Sequence, residues 1–236
     1  MHYLPFLSTL VTFVFAAAVF IRYLRLHGPH LLMWTVGLLF FGIGTLSEVL
    51  LAFSFNGLVL KLWYLSGAML TAAWLGQGSV HLLIRKRGVA WTLTVILGVI
   101  SVLAAGLVML APLTPAASTY NVVQPISSQY KDILTRGGAT IVLTILLNFY
   151  GTLTLVGGAI YSAVIFLRKR VLFNRMIGNI LIAIGAMAPA MAGSFVKMGL
   201  VDALYLSELI GVALMYIGFI QATTVPVREA APAAVG

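Results

Sequence analysis

Glu48, Lys61, Tyr64, Tyr205 and Glu208 are the residues whose types and positions could do chemistry in this chain. Glu208 lies inside "LYLSELIGVALMYIGFIQATT" (204–224), a stretch otherwise apolar enough to cross a membrane. An ionised carboxylate at such depth is costly unless it pairs with a cation, reaches water or keeps a proton, so intramembrane acids tend to face an interior. Glu48 raises the same problem on another apolar stretch, and Lys61, with Lys197, is the amine expected to neutralise them. Tyr64 and Tyr205 stand close behind in sequence. The chemistry such a group offers is recognition: a polar pocket holding a small ligand, lipid or ion. A structural ion pair that only fixes helix register is the competing reading.

The remaining polar residues do not converge on a reaction. His81 is expected at one membrane face and both acids toward the other, which leaves no hydrolytic triad. Metal-ligand spacing and phosphate-cradling loops are also missing, so the chain is expected not to be an enzyme. His27, His30 and His81 fall near basic helix ends; a haem between His30 and His81 would require the second and third helices to pair there. Headgroup contact is the simpler role, and no cofactor is expected. Gln77, Asn148 and Tyr150 are expected to satisfy partners in a bundle core. Pro189, with Gly185 and Gly193, is expected to kink its helix.

The elements that position these residues follow from composition. Of 236 residues, 61% are hydrophobic and 8% charged, outside the range of soluble domains. Mean hydropathy is +1.09. Crossing about 30 Å of hydrocarbon takes roughly 20 apolar residues, and a helix satisfies its own backbone there. Glycine, proline and charge clusters divide the chain into seven such helices, near 4–24, 29–53, 58–84, 89–112, 139–167, 176–199 and 203–224. The fold expected is thus an all-α membrane protein, one seven-helix domain over 1–224. Between the fourth and fifth spans runs a longer connection, 113–138, with a short helix near 127–135 stopped by Gly137 and Gly138. Residues 225–236 read as a disordered cytoplasmic tail.

Basic residues fix the expected orientation, because Lys and Arg near helix ends are retained in the cytoplasm. Arg22, Arg25, the 85–87 run, the 168–170 run, Arg175 and Arg228 share one side; Lys61, Lys131, Arg136 and Lys197 share the other. The N-terminus is expected outside and the C-terminus inside, in the cytoplasmic membrane of a prokaryote. The net charge of +9 hugs helix ends, where it meets anionic lipid, so nucleic acid is not an expected partner. No cleavable signal is evident and the first helix is expected to stay. The absence of cysteine excludes disulfides and thiolate sites.

The helices can be parsed as three, a linker helix and three more, a parallel three-one-three plan whose expected repeats run over 1–85 and 139–224, joined by the helix at 89–112. An offset of 141 residues aligns "YLS" at 64–66 with "YLS" at 205–207, Gly37 with Gly178 and Gly44 with Gly185. Small and polar faces recur at helical spacing: Trp34, Gly37, Phe41, Gly44, Glu48 and Leu51; Tyr64, Gly67, Thr71, Trp74, Gly78 and His81; Glu208, Gly211, Met215, Gly218 and Ala222. These faces are expected to point inward, with the glycines as packing surface.

The basic end of the first helix followed by "GPHLLMWTVGLLFFGIGTLSEVL" (28–50) resembles the seven-helix input regions of bacterial sensor histidine kinases over one hairpin. That resemblance implies sensing, and with no transmitter domain after Thr224 the signal would pass to a partner protein. The three-one-three plan is similar to that of sugar-efflux and nicotinamide-riboside transporters, without the proline-glutamine pairs typical of the former, and implies a carrier. A likeness to microbial rhodopsins stops at helix number, since 204–224 holds no lysine for retinal. The expected function is non-enzymatic binding of a small ligand, lipid or ion in the outer half of the bundle, coupled to a partner protein or second copy. A secondary carrier and a structural subunit of a larger membrane complex are the alternatives.

Overall fold

The computed structural model describes residues 3–84, 86, 88–169, 173–197 and 201–223, with the side chains of 169, 173, 189–197, 201 and 202 left undescribed. Its regular structure is helical. We number the helices α1 (Tyr3–Leu26), α2 (Pro29–Leu51), α3 (Gly57–Leu83), α4 (Val89–Leu110), α5 (Ile126–Ile133), α6 (Gly138–Lys169), α7 (Phe173–Lys197) and α8 (Val201–Thr223). Their ends follow local chemistry. His27, at φ 52, takes the left-handed conformation that closes α1, and Pro29 opens α2 with the φ a helix needs. The Asn56 side chain accepts from the Leu58 and Val59 amides and caps α3.

Among the described residues, six helices are long and apolar enough to cross a membrane: α1, α2, α3, α4, α6 and α8. This is an integral membrane protein by length and composition. The expected seventh span, 176–199, corresponds to α7, whose described apolar part, Asn174–Ala188, is too short to count by itself. The kink expected at Pro189 and the tail at 225–236 lie outside the described side chains and residues respectively.

Six helices close into a ring in the order α1, α2, α3, α6, α7, α8 and back to α1. Helix α4 stays outside and leans on α3, where Trp74 Nε1 donates to Ser101 Oγ at 3.1 Å. Its far face, with Val95, Val99 and Val102, is exposed. Glycines set the closest approaches. A Cβ on Gly44 would lie 2.8 Å from Gly67 Cα, and one on Gly185 2.6 Å from the Gly211 carbonyl oxygen. Such contact drives helix association in lipid, where expulsion of water contributes little.

Helix α3 is not uniform: Tyr64–Leu70 is π-helical. A π turn inserts residues into the 3.6 period and rotates everything after it. The face expected to run unbroken from Tyr64 to His81 therefore divides. Gly67 and Thr71 face the ring interior, whereas Trp74 turns to α4 and Gly78 abuts the Trp34 ring of α2. Side chains add donors to this turn: Asn148 Nδ2 donates to Ala68 O at 2.7 Å, and Thr71 Oγ1 donates to Ser66 O at 2.9 Å, a carbonyl that also accepts the Thr71 amide.

The long connection folds over one end of the ring. Its short helix is Ile126–Ile133, ending earlier than expected because Leu134 turns extended and pairs with Leu113. Ile126, Ile133 and Leu134 are buried with Leu51, Leu60, Trp63 and Tyr64. We call this the loop end and the opposite, arginine-rich end the basic end, where Arg22 Nη2 reaches Thr223 O at 3.4 Å.

Candidate functional site

Beneath the connection, inside the ring, lies a cavity of about 510 Å³. Phe41, Gly44, Thr45 and Glu48 supply the α2 wall; Trp63, Gly67, Ala68 and Thr71 the α3 wall; Asn148 and Gly151 part of the α6 wall; and Leu204, Glu208 and Met215 the α8 wall. Spacings of three and four residues put Phe41, Gly44 and Glu48 on one stripe of α2, so burying the stripe carries the acid inward. Ser127, Tyr130 and Lys131 of the connection lie at the loop end of the cavity. Leu75, Leu155 and Met215 bound it toward the basic end and merge with a packed cluster of Phe15, Leu38, Val212 and Phe219.

Glu48 is 6% exposed. Its Oε1 accepts from Trp63 Nε1 at 2.8 Å. The Glu208 carboxyl lies beside it, within side-chain hydrogen-bonding reach. Beyond each other's carboxyl, the buried Glu48 Oε2 and Glu208 Oε2 have no hydrogen-bond partner, and the buried Ser127 Oγ has none. Such polar atoms are scarce in folded interiors, and of the six among the described residues three belong to residues lining this cavity.

The expected amine is not with the acids. Lys61 Nζ donates to the Met109 carbonyl at 2.8 Å, and among the described residues it forms no ion pair. The reason is helix termination: Met109 is at the end of α4, where the last carbonyls lack intrahelical donors and the helix dipole is negative. Lys61 serves that end instead of Glu208. The side chain of Lys197 lies outside those described.

The tyrosines stand behind the walls. Tyr64 is 1% exposed and its hydroxyl shares a 2.9 Å hydrogen bond with Thr144 Oγ1. Its ring packs on Trp63 and Tyr130, and the Arg136 guanidinium sits 4.9 Å from the Tyr130 ring centre. Tyr205 lies near enough to feel both carboxyls and Tyr120. In the connection, the Tyr120 hydroxyl donates to Leu51 O at 3.1 Å, and burial, followed by the neighbouring Glu48 charge, pushes its phenol above the usual range. Burial likewise raises Tyr130, with Arg136 opposing and Tyr64 adding to it. Both phenols therefore remain hydrogen-bond donors at neutral pH.

Of the five residues singled out in the sequence, the fold places Glu48 and Glu208 on the cavity, Tyr205 beside them, Tyr64 behind the wall and Lys61 elsewhere. Trp63 and Ser127 are contributors the sequence did not reveal. An indole next to Tyr64 hinted at the first, but no local signal marks the second, because its position depends on the connection folding back.

The other polar candidates are occupied. Gln77 Nε2 donates to Ala90 O at 2.9 Å and Thr94 Oγ1 at 2.8 Å, while its Oε1 accepts from Tyr150. His81 Nε2 bonds Thr94 Oγ1 at 2.7 Å with Trp91 against its ring, and His30 packs edge-on to Trp34. Among the described residues, no group of three or more histidines and acids is placed to hold a metal ion. Comparison with protein-family models, curated proteins and solved structures gives no match.

Proposed function

We propose that this chain is a non-enzymatic, seven-crossing membrane protein that binds a small ligand in the loop-end cavity and passes its occupancy to a partner protein. The carrying observation is the pair of buried carboxyl oxygens with no partner beyond each other, beside a cavity of about 510 Å³, a size suited to a small molecule. The π-helical stretch on the cavity wall is further support, since such turns occur frequently at functional sites. In this reading α7 completes the seventh crossing, and the basic end faces the cytoplasm of a prokaryotic cell.

The ring order supports the three-one-three plan. Exchanging α1, α2 and α3 with α6, α7 and α8 maps every neighbouring pair in the ring onto another neighbouring pair. Gly37 and Gly44 lie against α3, and their register partners Gly178 and Gly185 lie against α8. A carrier would use the same plan, but Gln77, one of the polar steps such a path needs, is tied up between α4 and Tyr150 of α6.

Purification in mild detergent followed by native mass spectrometry tests the binding role. A chain carrying a small-molecule adduct that is lost in Ala68→Phe, which fills the cavity, supports it. A fixed assembly with other chains and no adduct in either form sinks it in favour of a structural subunit. Orientation is readable separately, because the chain has no cysteine. Asn121→Cys should react with an impermeant maleimide on intact cells, and Lys86→Cys only after lysis.

A further inference from the structure

We infer that the ligand of this cavity is a small organic amine, bound as its ammonium ion between Glu48 and Glu208 with its hydrocarbon part against the apolar walls. The inference rests on the cavity being a binding site and adds the chemical class of its occupant. Two carboxyl groups side by side in a low-dielectric interior cannot both hold charge unless a proton or cation lies between them. Lys61 is committed to the Met109 carbonyl, and Lys131, the lysine that lines the cavity, forms no ion pair with either acid among the described residues. A shared proton would relieve the repulsion and join the two carboxyls, but would leave the cavity and Ser127 Oγ unused. An ammonium group brings several N–H donors on one charge, matching Glu48 Oε2 and Glu208 Oε2, with Ser127 Oγ also unpartnered on the cavity wall.

The walls choose between an organic cation and a metal ion. Hard metal cations take six or more oxygen ligands, and here the acids are flanked by Trp63, Phe41, Leu204 and Met215. Those surfaces suit hydrocarbon, and the Trp63 and Phe41 rings add attraction for a cation near their faces. Lys131 at the loop end disfavours a second positive group there, so the amine is a monocation.

The test is thermal unfolding of the full chain in detergent, at constant ionic strength, with hexylammonium, hexanol or hexanoate as probe. Saturating hexylammonium is expected to raise the unfolding midpoint by about 4 °C, with no comparable shift from the other two. In Glu208→Gln and in Glu48→Gln, each checked for unchanged helicity, the shift is expected to disappear. Loss in either carboxamide variant, with retention in a Lys86→Gln control at the basic end, supports the inference. Equal shifts from all three probes that vanish in Ala68→Phe overturn the amine and leave the cavity a binding site. A hexylammonium shift that survives in the Glu48→Gln/Glu208→Gln double variant also overturns it, as detergent or surface binding. No shift from any probe overturns it as well, whereas an adduct seen by mass spectrometry would preserve the binding role.

Discussion

The two halves of the ring are built from similar helices to different ends. Toward the basic end, Phe15, Leu38, Val212 and Phe219 fill the space between α1, α2 and α8. Toward the loop end, small residues such as Gly44, Gly67 and Ala68 leave a cavity, and two acids border it. Stability alone would favour filling both, since a void forfeits contact and an unpartnered polar atom incurs its desolvation cost. The difference therefore separates a half that holds the ring together from one that keeps room and unused acceptors at a cost in stability.

The largest expected effect probes the seam shared by both halves. A Cβ on Gly151 would overlap the Ala72 backbone carbonyl, with no flexible side-chain tip to yield. Gly151→Ala should force α6 away from α3 and cost about 3 kcal/mol, read by reversible unfolding in mixed micelles. A loss below about 1 kcal/mol would mean that the helices do not approach this closely.

Next, Leu38→Ala should open a hole in the packed half. Leu38 is 1% exposed, and the loss should be about 2 kcal/mol, less than for some soluble cores because lipid tails compete with the protein interior for apolar surface. Ala68→Leu, in the cavity half, should cost far less, because there is room for the added carbons. If the two substitutions cost the same, the contrast between packed and hollow halves fails.

Two tryptophans sharpen the contrast further. Trp63 Nε1 donates to Glu48, whereas Trp34 Nε1 is buried without a partner. Replacing either by Phe removes similar volume, so the difference between their effects reads mainly the hydrogen bond. Trp63→Phe should be the more damaging by about 1 to 2 kcal/mol, because it also leaves a buried carboxyl without that donor.

Much of this architecture was legible in the sequence because lipid simplifies the code. Apolar runs placed α1, α2, α3, α4, α6 and α8, and the depth of Glu48 and Glu208 marked both as interior residues. The partner assigned to them was misplaced because sequence distance says nothing about the competing attraction of the α4 terminus for Lys61. The π turn was likewise hidden: "YLSGAML" has no residue that dictates it, and a donor to its Ala68 carbonyl, Asn148, comes from 80 positions away. Ser127 became part of the cavity only through tertiary folding of the connection.

The smallest expected effect lies outside both halves and gives them a baseline. Gly98 sits on α4, where an added Cβ meets nothing within 4 Å, unlike Gly44, Gly151 and Gly185 in the ring. Its cost to the helix is conformational, so Gly98→Ala should stabilise the protein by about 0.5 to 1 kcal/mol by removing backbone freedom from the unfolded chain. Gly44→Ala gains the same entropy but places its Cβ 2.8 Å from Gly67 Cα, so it should come out destabilising. Opposite signs for one substitution at two glycines, measured in the same micelles, would tie the ring's strength to backbone contact; matching signs would make both glycines incidental.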